Sequence, residues 1–167
     1  MRSFLKTGGR RCSAGLGAVE VLVGTAIVTA ALLGAVTVYD RFTIQALRSV
    51  REVQAGFLLG EGIEALRSLR DNGWASSIVP LTVGTSYQLS FSGSLWQATT
   101  TPMAFIDGAF ERTVVLASTT RDGNDDIAPS GTEDPNTREV TVTLSWRAQN
   151  ATTTRQLSTY LSNLFGT

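Results

Sequence analysis

The sequence predicts an α+β fold, in which one long N-terminal helix precedes a small antiparallel sheet. Three observations predict it. Residues 16–39 form an apolar run broken by a single charge, Glu20. Apolar residues then recur at three- and four-residue steps as far as Leu69. After Trp74 the repeat shortens to two. Steps of three and four belong to a helix face, and a step of two belongs to a half-buried strand. At 167 residues the chain has room for a membrane segment and one small domain.

Charge divides the chain further. Arg2, Lys6, Arg10 and Arg11 crowd the first fifteen residues. From residue 16 onward ten arginines and no lysine stand against fourteen acidic residues, a balance of −4. A mildly acidic body lacks the density of cations that phosphate neutralisation requires, so no nucleic-acid partner is expected. Histidine is absent, which removes most general-base, triad and zinc arrangements. Without histidine or lysine in the body, its serines and threonines have no activating base, and no enzyme is expected. Cys12 is the only cysteine, so no intramolecular disulfide forms. Arg10 and Arg11 precede it where a lipid-attachment motif needs apolar residues.

Residues 1–15 read as a basic leader. The segment 16–39 has 24 residues, roughly 36 Å as a helix, enough to cross a hydrocarbon core of about 30 Å. It exceeds the apolar stretch of about 7–15 residues in a secretory signal peptide. The basic cluster places the N-terminus inside and the body outside. A carboxylate at the centre of such a helix costs about 2.5–3.5 kcal/mol, and less towards an end. Glu20 is therefore either a charge tolerated near the interface or one that meets a partner in an assembly. Gly17, Ala18, Gly24, Ala26, Ala30, Ala31, Gly34 and Ala35 are small, and small residues let membrane helices approach closely.

Residues 40–73 read as an amphipathic helical stem. Phe42, Leu47, Val50, Val53, Phe57, Leu66 and Leu69 mark the stripe expected to pack on a sheet. Glu64 and Arg67, three apart, share a face. Gly56, Gly60 and Gly62 each weaken a helix by about 1 kcal/mol relative to alanine and leave open whether it runs unbroken. Asn72-Gly73 is the expected stop.

Residues 74–167 read as the antiparallel head. Segments 86–91 and 95–100 flank Ser92-Gly93-Ser94 as a hairpin. Residues 112–118 are rich in β-branched side chains. In 139–146, Val140, Val142, Leu144 and Trp146 alternate with Thr141, Thr143 and Ser145, the pattern of a half-buried strand. Residues 153–161 form the last strand. Trp74, Trp96 and Trp146 are expected in core or interface packing, given the area each buries.

Between two of these strands lies an acidic polar loop, residues 121–137. Asp122, Asn124, Asp126 and Glu133 occupy positions 1, 3, 5 and 12 of a calcium-loop pattern. The sixth position, where an EF-hand needs glycine, holds Ile127, and no helices flank the loop. An EF-hand proper is therefore not expected. Two readings remain: a calcium-binding loop of another kind, or a solvated, turn-rich loop. Calcium is the one cofactor suggested anywhere in the chain. Asn150-Ala151-Thr152 matches a glycosylation sequon, a pattern frequent by chance.

The segment Ser13-Ala14-Gly15-Leu16-Gly17-Ala18-Val19-Glu20-Val21-Leu22 resembles the cleavage and methylation segment of type IV prepilins and type II secretion pseudopilins. The shared features are a basic leader, a glycine before the cut, an apolar first mature residue and a glutamate at the fifth mature position. The chain departs from the pattern at Leu16, where the family usually has phenylalanine, and at Gly17, where it usually has threonine. The resemblance implies cleavage between Gly15 and Leu16 by a prepilin peptidase, with methylation of the Leu16 amine. It implies that Glu20 of one subunit meets that amine on a neighbour, an ion pair that fixes register more than it adds affinity. Other pilin subunits, the inner-membrane assembly platform and, before assembly, membrane lipid are the implied partners. The implied location is the cytoplasmic membrane, then an extracellular or periplasmic filament. A pilus subunit, major or minor, and a pseudopilin of a type II secretion-like or DNA-uptake system share this segment. A monomeric membrane-anchored binding module is the alternative from another class. Some pseudopilins bind calcium in loops, which keeps that reading of residues 121–137 in play.

Overall fold

The computed structural model describes residues 14–148 and 151–164. The basic leader before Ala14, with Cys12, and Asn150 of the sequon lie outside the described residues. The chain forms two compact units, Met1–Leu47 and Arg48–Thr167. One helix, α1 (Ala14–Asp71), contributes to both.

α1 is a single element of 58 residues and continues through Gly56, Gly60 and Gly62 without interruption. In its N-terminal part Thr29, Thr37 and Thr43 turn their hydroxyls back to Thr25 O, Leu33 O and Tyr39 O, at 2.8–3.0 Å. Thr25 does the same to Leu22 O. This back-bonding satisfies polar side chains on an otherwise apolar helix. Termination falls where expected. Asn72 N–H still reaches Ser68 O and Gly73 N–H reaches Arg70 O, but Gly73 takes φ 136°, a conformation that glycine alone adopts readily. A short π-helical turn, Trp74–Ile78, follows and buries both of its end residues.

The head sheet contains β1 (Ser86–Ser92), β2 (Leu95–Thr99), β3 (Phe110–Arg121), β4 (Ile127–Ala128), β5 (Thr132–Ala148) and β6 (Ala151–Ser162). Its order is β2-β1-β3-β5-β6, with β4 also paired to β3, and every pairing is antiparallel. Gly93 and Ser94 both take positive φ and close the β1–β2 hairpin, as two-residue hairpin turns require. The α+β architecture expected from the sequence is the one observed.

Strand is more extensive than the sequence suggests around the acidic segment. β3 continues to Arg121, β4 adds a further pair, and β5 already begins at Thr132. The expected loop of residues 121–137 is reduced to a turn over 122–126 and a corner over 129–131. A bulge hides this in the sequence. Ser118 pairs with Arg138, but Thr119 pairs with Asp134, so Pro135, Asn136 and Thr137 are looped out of the β3–β5 register. Pro135 has no N–H to give a ladder, and a bulge is where a strand tolerates it.

The core lies between one sheet face and the C-terminal part of α1. Val114 and Leu116 on β3, and Val140, Val142 and Leu144 on β5, are wholly buried. Phe110 stacks on Trp146 with ring centroids 5.7 Å apart. Trp74 and Trp146 are therefore core residues, while Trp96 is half-buried at the sheet edge against Phe91. The three tryptophans form no common face.

The buried stripe of α1 differs from the expected one. Leu66 and Leu69 are buried as anticipated, but their companions are Ala55, Leu59, Ile63 and Ala65. Leu47, Val50, Val53 and Phe57 face outward, Phe57 with 76% of its surface exposed. The helix carries two apolar stripes. The one with alanines and Gly62 docks, because small residues bring its backbone closest to the sheet.

Candidate functional site

Glu20 lies in the membrane-compatible part of α1. Every residue from Gly17 to Val53 is exposed in the isolated chain, and this helix is long and apolar enough to cross a membrane. Glu20 is its one acidic residue before Asp40. Among the described residues it has no ion-pair partner. Gly15 and Leu16 belong to the first turns of α1. Leu16 and Glu20 are four residues apart, about one helical turn along α1.

Beyond residue 48, polar side chains of α1 hold the head. Glu52 receives both Arg155 Nε and Nη2, at 3.1 and 3.0 Å, a two-pronged contact that fixes orientation as well as distance. Arg51 Nη1 donates to Arg147 O at 2.8 Å, and Gln54 Nε2 to Asp107 Oδ2 at 2.8 Å. Arg112 is the one charged side chain in the core among the described residues. It projects from β3, donates to Leu58 O at 3.0 Å, pairs with Glu61 at 3.2 Å and stands 5.5 Å over the Trp96 ring. Its Nε has no partner. Arg112 thus fastens the helix to the sheet from inside.

The acidic corner is organised around Arg121. Its Nε donates to Asp134 Oδ2 at 2.7 Å and lies 3.7 Å from Asp125, while Nη1 donates to Asp125 O. The guanidinium and the Thr137 hydroxyl hold the Asp134 carboxyl well below its ordinary value, at about 2. The same carboxylate raises Arg121 further. Asp122 Oδ1 accepts the N–H groups of Asn124 and Asp126 at 2.8 and 3.1 Å, closing the turn on itself. Glu133 accepts from Ser118 Oγ at 2.9 Å.

No family model matches the chain, and neither curated proteins nor solved structures give a match. The site is therefore read from its own geometry. Asp122, Asn124, Asp126 and Glu133, the four calcium candidates, are not assembled around one point. Among the described residues no group of three or more histidine, cysteine or acidic side chains is placed to hold a metal ion. Arg121 supplies a cation to the neighbouring Asp125 and Asp134.

Two determinants escaped the sequence reading, and both had a signal. Arg112 occupies the same alternation as Phe110, Val114 and Leu116, the parity of a buried residue. Gly62 sits inside a helix where alanine is better tolerated, and such a glycine marks a close approach.

Proposed function

We propose that this chain is a structural subunit of a type IV pilus-like filament, non-enzymatic, anchored first in the membrane by α1 and then assembled through it. One observation carries the reading: α1 is uncovered from Gly17 to Val53, and its apolar part, as far as Tyr39, carries a single carboxylate, Glu20. Among the described residues nothing hides this surface. Lipid covers it before assembly and neighbouring helices cover it afterwards.

Cleavage between Gly15 and Leu16 would free an amine one turn below Glu20. In a low-dielectric setting two unpaired charges are strongly disfavoured, and truncating one partner of such a pair leaves the other stranded. Pairing Glu20 with the Leu16 amine of an adjacent subunit removes both and sets the axial step. Exposed Val50, Val53 and Phe57 extend the apolar surface beyond the membrane segment, and contiguous exposed apolar area marks interaction surfaces.

Glu20→Ala tests the reading. Membrane extraction and electron microscopy of the producing cells should find the variant inserted at the native level, with filaments lost or sharply reduced. Normal filaments built from the alanine variant would contradict it.

A further inference from the structure

We infer that the outer edge of β6 is an assembly edge, and that its partner is β2 of a second copy of this chain, laid alongside it in parallel. β6 ends the sheet order and pairs on one side only, with β5. That antiparallel ladder runs the 12 residues of β6 without a register shift. Just beyond it, Asn163 N–H donates to Asn136 O at 2.8 Å. Alternation from that pair turns the odd-numbered residues of β6 to β5. The N–H and C=O groups of Thr152, Thr154, Gln156, Ser158 and Tyr160 therefore point outward, where no strand takes them up among the described residues.

Folded proteins usually blunt such an edge with lysine, proline, a bulge or a very short strand. β6 has none of these. Its one charged residue, Arg155, is drawn onto Glu52 of α1. The opposite edge of the sheet, β2, is bare of charge as well: residues 72–106 include no Asp, Glu, Lys or Arg. Neither edge repels the other.

Two relations select β2 as the partner. Every step of the path from β2 through β1, β3 and β5 to β6 is antiparallel, so the two edge strands run in the same direction. A copy in the same orientation offers β2 to β6 in parallel, a head-to-tail contact that repeats from subunit to subunit. That shared orientation rests on the filament reading. The exposed apolar residues of the two edges also lie on one face. Leu157 pairs with buried Val142, and Phe91, which pairs with Trp96, is in step with buried Leu89. All three side chains therefore stand on the α1 side of the sheet. Leu157 is 42% exposed and Phe91 63%, and joining the edges covers both. A five-residue strand gives a contact smaller than a standard stable interface. Neighbouring α1 helices supply the local concentration at which it forms.

The test uses the full chain in its native membrane, with Cys12→Ser as background. Gln97→Cys and Gln156→Cys introduce thiols at exposed edge positions, both on the face away from α1. A short bis-maleimide should join the doubly substituted chain into a ladder of multimers. Either substitution alone should give no dimer; a dimer from Gln156→Cys alone would show two-fold β6 pairing and overturn the inference. Leu157→Lys should cut the ladder at least about fivefold. Val79→Lys, at an exposed site outside both edge strands, should leave it within about twofold. An unchanged thermal midpoint establishes that Leu157→Lys remains folded; if it does not, Thr154→Lys carries the comparison. A ladder indifferent to lysine at the edge would record proximity alone and overturn the pairing. So would the absence of a ladder, and filaments seen by electron microscopy in the same cells would then show that the filament reading survives it. A ladder without filaments would do the reverse.

Discussion

Gly62 of α1 lies directly against Val142 of β5: a Cβ on the glycine would stand 2.8 Å from Val142 Cγ1 and 3.2 Å from Arg112 Cδ. Contact at 2.8 Å forces a shift, and overpacking a core costs about 1–3 kcal/mol. Alanine recovers about 1 kcal/mol of helix propensity. Gly62→Ala should therefore destabilise the head by up to about 2 kcal/mol. Gly60, two residues away, has nothing within 4 Å of such a Cβ, and Gly60→Ala should be neutral or stabilising. Thermal unfolding of the two variants side by side checks the contrast, and equal effects would refute it.

Arg112 and Glu61 differ in burial, with 4% and 46% of their side-chain surfaces exposed. Removing the exposed partner leaves a buried guanidinium with the Leu58 carbonyl and the Trp96 ring but no counter-charge. Removing the buried one returns Glu61 to water. Arg112→Met, which keeps much of the volume, should therefore cost less than about 1 kcal/mol, since apolar replacement of a buried ion is often neutral. Glu61→Ala should cost more, about 1–2 kcal/mol. Chemical denaturation of both variants gives the order, and a costlier Arg112→Met would show that the cation itself stabilises the core.

Asp134 titrates at about 2 in the fold, below the ordinary aspartate value of about 3.9 in an unfolded chain. A depressed pKa means that its contribution is present above about pH 4 and is lost as the pH falls towards 2. Asp134→Asn should lower the unfolding midpoint at pH 6 and match the native protein near pH 2. A constant gap across that window would remove Asp134 from the account.

Calcium should leave the head unchanged. Arg121 is fixed between Asp134 and Asp125, and the Asp122 carboxylate is occupied by two backbone N–H groups. Calorimetric titration with calcium should give no binding heat and no shift in unfolding midpoint. A saturable signal lost on Asp122→Ala would restore the calcium reading of this corner.

The helix, its stop at Asn72-Gly73 and the five main strands were legible because each carries its own period or turn chemistry. The docking stripe was not. Leu47, Val50, Val53 and Phe57 are more hydrophobic than Ala55, Gly62 and Ala65, so hydropathy favours the wrong face, whereas packing depends on how near two backbones come. The acidic segment misled for a different reason. Aspartate, glycine and proline signal turns, yet here Asp134 and Pro135 sit at a bulge within a long strand. Arg112 was hidden by its charge, although its alternation placed it inside. Glu20 is the reverse case: its meaning depends on a neighbouring chain, so the sequence pattern speaks for it more directly than one folded copy does.

Processing of the N-terminus tests the central claim most directly. Intact-mass and N-terminal peptide spectrometry of the protein from its native membrane should find a chain that begins at Leu16 with a methylated amine. A mature chain that still carries Met1 and the basic leader would contradict the filament account.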